Sequence, residues 1–141
     1  MTWRARKRDS GQNLVEFALV AVLLLALVLG IVEFGRVWMT FQVVTNAARE
    51  GARLAALPTG FTNSGAVTTK VNDYLTAAGL DTGVASVTVS GVDGATGSNA
   101  TVTVTYNVDM LFLGPIVSLL DSSSSIPGSF TLTGTSTMRN E

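Results

Sequence analysis

The side chains most able to do chemistry here are charges in awkward places. Glu16 stands at the edge of an apolar run, and from Phe17 to Val32 sixteen residues pass without a charge. An unpaired charge costs up to ~3 kcal/mol at mid-membrane and less near the edge, so a carboxylate at Glu16 seeks a cationic partner. A plainer account stands beside this one. Asn13 and Glu16 are spaced as a capping box, with Asn13 as N-cap and Glu16 at N3, and acids near helix starts are favourable anyway. Glu33 with Arg36, and Glu50 with Arg53, are spaced to pair at i,i+3 on one helix. Arg49 and Arg53, one turn apart, suit acidic groups of a neighbouring chain or simply a solvated face.

Much chemistry is excluded. The chain has no cysteine and no histidine, which removes disulfides, thiol nucleophiles, imidazole bases and the commonest zinc ligands. The acids are scattered and no base sits near any serine in sequence, so no catalytic constellation is expected. We expect no enzyme, no metal and no cofactor.

The elements that carry these charges are uneven in composition. Of 141 residues 47% are hydrophobic, and the excess is concentrated between Leu14 and Val32. Arg4, Arg6, Lys7 and Arg8 crowd the start, opposed only by Asp9, whereas beyond Leu54 the positives are Lys70 and Arg139 against six acids. A basic head followed at once by an apolar run fits the positive-inside rule better than nucleic-acid binding, and places the N-terminus in the cytoplasm. A span needs about 20 apolar residues, more than the roughly 7–15 of a cleavable signal core. Val32, Glu33 and Phe34 follow the run instead of a small-residue cleavage site, so a retained anchor in membrane lipid is expected.

The helix should outlast the membrane. Phe34, Val37, Phe41, Val44, Ala48 and Ala52 recur at spacings of three and four, with Glu33–Arg36 and Glu50–Arg53 on other faces, until Leu57-Pro58 stops the pattern. From about Asn13 to Ala56 such a helix is roughly 65 Å long at 1.5 Å per residue. Ala47, Gly51 and Ala55 form a small-residue stripe, flanked by Ala48 and Ala52, that lets a backbone approach closely. It serves equally well as a seat for the chain's own sheet or as a contact with another helix.

A linker over 59–65 precedes a second helix over 66–78, lined by Val67, Val71, Tyr74, Leu75 and Ala78, with Gly79 suited to its C-cap. Three strands follow. Ala85, Val87 and Val89, then Val102, Val104, Tyr106 and Val108, then Phe130 and Leu132, alternate with Ser, Thr or Asn, the pattern of a half-buried antiparallel sheet. The fold class is α+β, a long hydrophobic helix followed by a short helix and a three-stranded sheet, with the long helix covering the sheet's inner face. Between strands two and three, Met110 to Leu120 is apolar but too short to span. It reads mainly as a loop folded onto the core, or else as an apolar tip against the membrane or a neighbour. Ser122 to Ser125 read as a connector, and Asn99-Ala100-Thr101 matches a glycosylation sequon at a strand start.

Gly11-Gln12-Asn13-Leu14-Val15-Glu16-Phe17, behind a basic leader and before an apolar helix, resembles the prepilin processing site of type IV pilins. Asn46-Ala47-Ala48-Arg49-Glu50-Gly51-Ala52-Arg53, with Val32-Glu33-Phe34-Gly35-Arg36 and the closing Thr-Ser-Thr-Met138-Arg139 strand, resembles TadE-like proteins, minor pilins or pseudopilins of the Tad (Flp-type) pilus. The family often carries a proline midway along its hydrophobic helix, where this chain has only Ala, Val and Leu. The resemblance implies cutting by a prepilin peptidase between Gly11 and Gln12. It implies that Glu16, beside Phe17, pairs with the freed amine of Gln12 during assembly. It also implies contacts with other pilin subunits and pilus machinery. The expected organisation is a leader over 1–11, an anchor and stalk over 12–57, and an α+β domain over 58–141 outside the cytoplasm. The inner membrane precedes an extracellular or periplasmic pilus. Rivals are a pseudopilin of a type II-like secretion system and an unprocessed bitopic membrane protein whose outer domain binds a ligand.

Overall fold

The computed structural model describes residues 7–58, 62–112, 114–115 and 128–141, with side chains from Gly11 onward. Its elements are α1 (Lys7–Ala55), α2 (Ser64–Ala77), a 3-10 turn (Thr82–Val84), β1 (Ala85–Ser90), β2 (Asn99–Asp109) and β3 (Ser129–Arg139). The strands form one antiparallel sheet in the order β1-β2-β3. The α+β class is as the sequence reading expects.

Several boundaries differ from expectation. α1 is already helical at Lys7, so Asn13 lies inside the helix and caps nothing. α2 begins at Ser64 because the Asn63 side chain accepts a hydrogen bond from Ala66 N–H at 2.8 Å, an N-cap hidden in the supposed linker. It ends in a Schellman motif. Gly79 takes the left-handed conformation (φ 78°), and the N–H groups of Gly79 and Leu80 donate to the carbonyls of Thr76 and Leu75. Tyr74 and Ala78, expected on the buried face of α2, are exposed; Val67, Val71 and Leu75 bury alone. β3 runs its full length against β2, from Ser129 opposite Asp109 to Arg139 opposite Asn99.

The sheet lays its inner face on the second half of α1, and α2 packs beside it. The core joins Val44, Ala47, Ala48, Ala52 and Ala55 of α1 to Val67, Val71 and Leu75 of α2 and to Ala100, Val102, Val104, Tyr106 and Val108 of β2. β3 crosses α1 so closely that a Cβ on Gly134 would lie 3.0 Å from the Cα of Thr45. That meeting is backbone on backbone, which is why no side chain fits there. The outer face is hydroxyl-rich, with Thr101 bonded to Thr137 and Thr103 to Thr135 across the strands.

Two ties align the sheet along α1. At one end Glu141 N–H donates to the Ala56 carbonyl, and Asn140 binds Gly91 and Ser98 of the β1–β2 turn. At the other end Glu33 and Arg36 hold the exit of β2. Residues 33 and 56 are roughly 35 Å apart along a helix, close to the ~36 Å of an eleven-residue strand. Helix and strand therefore run side by side over the whole domain.

Candidate functional surface along the long helix

Described from its N-terminal end, α1 is first a bare rod. Every residue from Gly11 to Val20 is exposed, and large apolar side chains stay exposed through Val32, among them Phe17, Leu23, Leu27 and Ile31. Among the described residues this is the one helix long and apolar enough to cross a membrane. Gly11 meets nothing within 4 Å of where a Cβ would stand. Among the described residues no contact accounts for a glycine there, although one inside a helix costs about 1 kcal/mol relative to Ala. Gln12 and Glu16 are exposed on the same stretch. Because α1 is already helical at Lys7, Asn13 is not its N-cap and the capping box is not built.

The covered half begins at Glu33. Its side chain is 2% exposed, a correction to the reading that set Glu33 and Arg36 on a face away from the domain. One carboxylate oxygen accepts the N–H groups of Leu111 at 3.1 Å and Phe112 at 2.9 Å. The other receives the Arg36 guanidinium, which also donates to the Asp109 carbonyl. This carboxylate therefore ties α1 to the end of β2 through charge-assisted bonds. Phe34, expected on the covered face, is exposed and stacks on Trp38 with ring centroids 6.2 Å apart; Trp38 in turn meets Phe41. The missed signal was the spacing Glu33, Val37, Thr40, Val44, Ala47, Gly51, a stripe of threes and fours one residue out of step with Phe34.

Beyond this node the small residues take over. Ala47, Ala48, Ala52 and Ala55 are fully buried, and a Cβ on Gly51 would stand 2.6 Å from Val71 Cγ2 and 3.2 Å from Val102 Cγ1. The stripe seats α1 on the chain's own α2 and sheet, one of the two uses the sequence left open. Glu50 and Arg53 pair within the chain, at 2.8 Å and 3.1 Å, and Lys70 of α2 approaches Glu50 at 3.7 Å. Hydrogen bonding from Arg53 holds the Glu50 carboxyl below its ordinary value, outweighing its partial desolvation, with the positive charges of Arg53 and Lys70 adding to the effect. Arg49 is exposed. Among the described residues no cluster of acids could hold a metal ion.

The arrangement is a bare apolar half-helix joined to a half seated on a small α+β domain. The model of the TadE-like protein family matches residues 11–53, which takes in both halves of α1. Over that stretch, under a third of the chain, the protein is similar to TadE-like proteins, and the match takes in the Gly11–Glu16 and Asn46–Arg53 segments. No curated protein and no solved structure matches. The family match supports a structural, pilin-like role associated with the Tad pilus.

Proposed function

We propose that this chain is a minor pilin of a Tad-type pilus, inserted in the inner membrane with its N-terminus in the cytoplasm and cut after Gly11. The observation that carries the reading is the bare half of α1, whose large apolar side chains are exposed among the described residues. Lipid covers them first, and the corresponding helices of other subunits cover them in the filament. The α+β domain over 58–141 then faces outward, on a stalk spanning 12–57. The family match favours this assembly over a type II secretion pseudopilin.

Cutting after Gly11 changes what Glu16 is. In the uncut chain it lies well inside α1, with peptide groups on both sides already bonded along the helix. After the cut Gln12 carries the free amine, and Glu16 stands one turn along, where the helix dipole favours a carboxylate. That amine, on the same or a neighbouring subunit, would supply Glu16 with a cationic partner.

The N-terminus settles the matter. Mass spectrometry of the protein from cells with an active prepilin peptidase should give a chain beginning at Gln12, whereas an intact leader defeats the proposal. Gly11→Leu should insert in the membrane yet stay uncut and unpiliated. Glu16→Ala should insert and be cut but assemble poorly; wild-type assembly would remove Glu16 from the mechanism.

A further inference from the structure

We infer that Leu111 and Phe112, together with Phe34 and Trp38, form a lipid-facing collar that seats the C-terminal domain on the bilayer surface. The inference rests on the membrane-anchored reading of α1 and adds a second, interfacial contact to it. Leu14 to Val32 is about 28 Å of helix at 1.5 Å per residue, close to the ~30 Å hydrocarbon core. Glu33 therefore falls at the boundary between hydrocarbon and headgroups.

The domain is pinned at that height. Glu33 accepts hydrogen bonds from Leu111 and Phe112, and Arg36 donates to the carbonyl of Asp109. The helix thus takes the Leu111 and Phe112 N–H groups and the Asp109 carbonyl, while the Leu111 and Phe112 side chains stay open. Leu111 is 57% exposed and Phe112 40%, which corrects the expectation that this loop start folds onto the core; residues 113 and 116–127 lie outside the described residues. Phe34 and Trp38 are exposed on α1 within six residues of Val32. Long helical side chains lean toward the N-terminus, so Trp38 reaches back toward the boundary. Aromatic residues concentrate at this depth because one part of the ring system is apolar and its edge tolerates water.

Continuity selects lipid as the occupant. The exposed apolar surface passes from Ile31 and Val32 directly to Phe34 on the helix. Leu111 and Phe112 join it at the same height through the Glu33 node. The one charge in the gap is neutralised by Arg36. A domain held this way cannot swing freely on its stalk, and leaving the bilayer for a filament must strip both the span and the collar.

Depth-dependent fluorescence quenching tests this in the full chain reconstituted in phosphatidylcholine–phosphatidylglycerol vesicles. In a Trp3→Phe, Trp38→Phe background, single tryptophans are placed by Leu24→Trp, Phe112→Trp and Thr135→Trp. Leu24→Trp should lose most of its emission to lipids brominated deep in the chain. Phe112→Trp should emit to the blue of Thr135→Trp and be quenched by lipids brominated near the headgroup, with Thr135→Trp unaffected. If Leu24→Trp is quenched but Phe112→Trp behaves like Thr135→Trp, the collar is overturned and the anchor stands. A blue-shifted Phe112→Trp that no brominated lipid quenches also overturns it, because protein then covers the site. An unquenched Leu24→Trp removes the anchor and the collar with it.

Discussion

The two halves of α1 are one continuous helix built on opposite rules. Before Glu33 large apolar side chains stand bare; after it the fully buried hydrophobic positions of α1 are Val44, Ala47, Ala48, Ala52 and Ala55. Size follows from what each half must touch. Lipid or another chain's helix accommodates bulk, while a sheet and a second helix packed on the same cylinder leave room only for small groups. Glu33 is the joint between the two regimes, since its carboxylate marks both the end of the apolar run and the first tie to the domain.

The sharpest way to break this contrast is to place the same side chain in both halves. Gly51→Leu drives bulk into Val71 and Val102 and should cost about 3 kcal/mol by overpacking, read as a lowered unfolding midpoint of the domain in detergent. Gly30→Leu, where nothing lies within 4 Å, should leave that midpoint unchanged. Equal effects at both positions would erase the distinction between the halves.

A smaller effect is expected at the joint. Glu33→Ala leaves the Leu111 and Phe112 N–H groups without their acceptor and Arg36 without its counter-ion. Leaving such groups unsatisfied costs about 1–3 kcal/mol. Amide exchange should accelerate at Leu111 and Phe112 while the Val102 and Val104 amides of β2 stay protected.

The smallest effect belongs to Glu50, on the solvent flank of the covered half. Its carboxyl titrates below the ordinary value, so its pairing stabilises the fold fully above the unfolded carboxylate value. That contribution fades as pH falls through the depressed folded one. The group is partly exposed and surface pairs contribute little. Glu50→Gln should therefore flatten the acid limb of the stability profile only slightly, and a large loss at neutral pH would show the pair to be structural.

Much of this was legible along the chain. The apolar run before Glu33, the alternation in β1 and β2, the buried Val67-Val71-Leu75 stripe and Gly79 at a C-cap all declare themselves through period and residue type. Asn63 as the cap of α2 is not legible, because the Gly/Thr/Asn/Ser stretch around it carries the composition of a plain linker. In β3 the alternation by itself stops at Leu132, since Gly134 and Ser136 stand where the pattern calls for apolar residues, and the closing Thr-Ser-Thr-Met138-Arg139 strand is legible only through the family resemblance.

What the sequence by itself determined is which segments are helix or strand and which stretch is too apolar for water, because local spacing and hydropathy suffice for both. Which face of α1 meets the domain was decided by tertiary structure alone. Glu33 and Phe34 are neighbours in sequence about 100° apart on the helix, and only the docking of β2 buries the acid and leaves the aromatic outside. The same packing turned the small-residue stripe inward and set Leu111 and Phe112 at the foot of the domain. Faces are chosen by partners distant in sequence, and no local pattern carries that information.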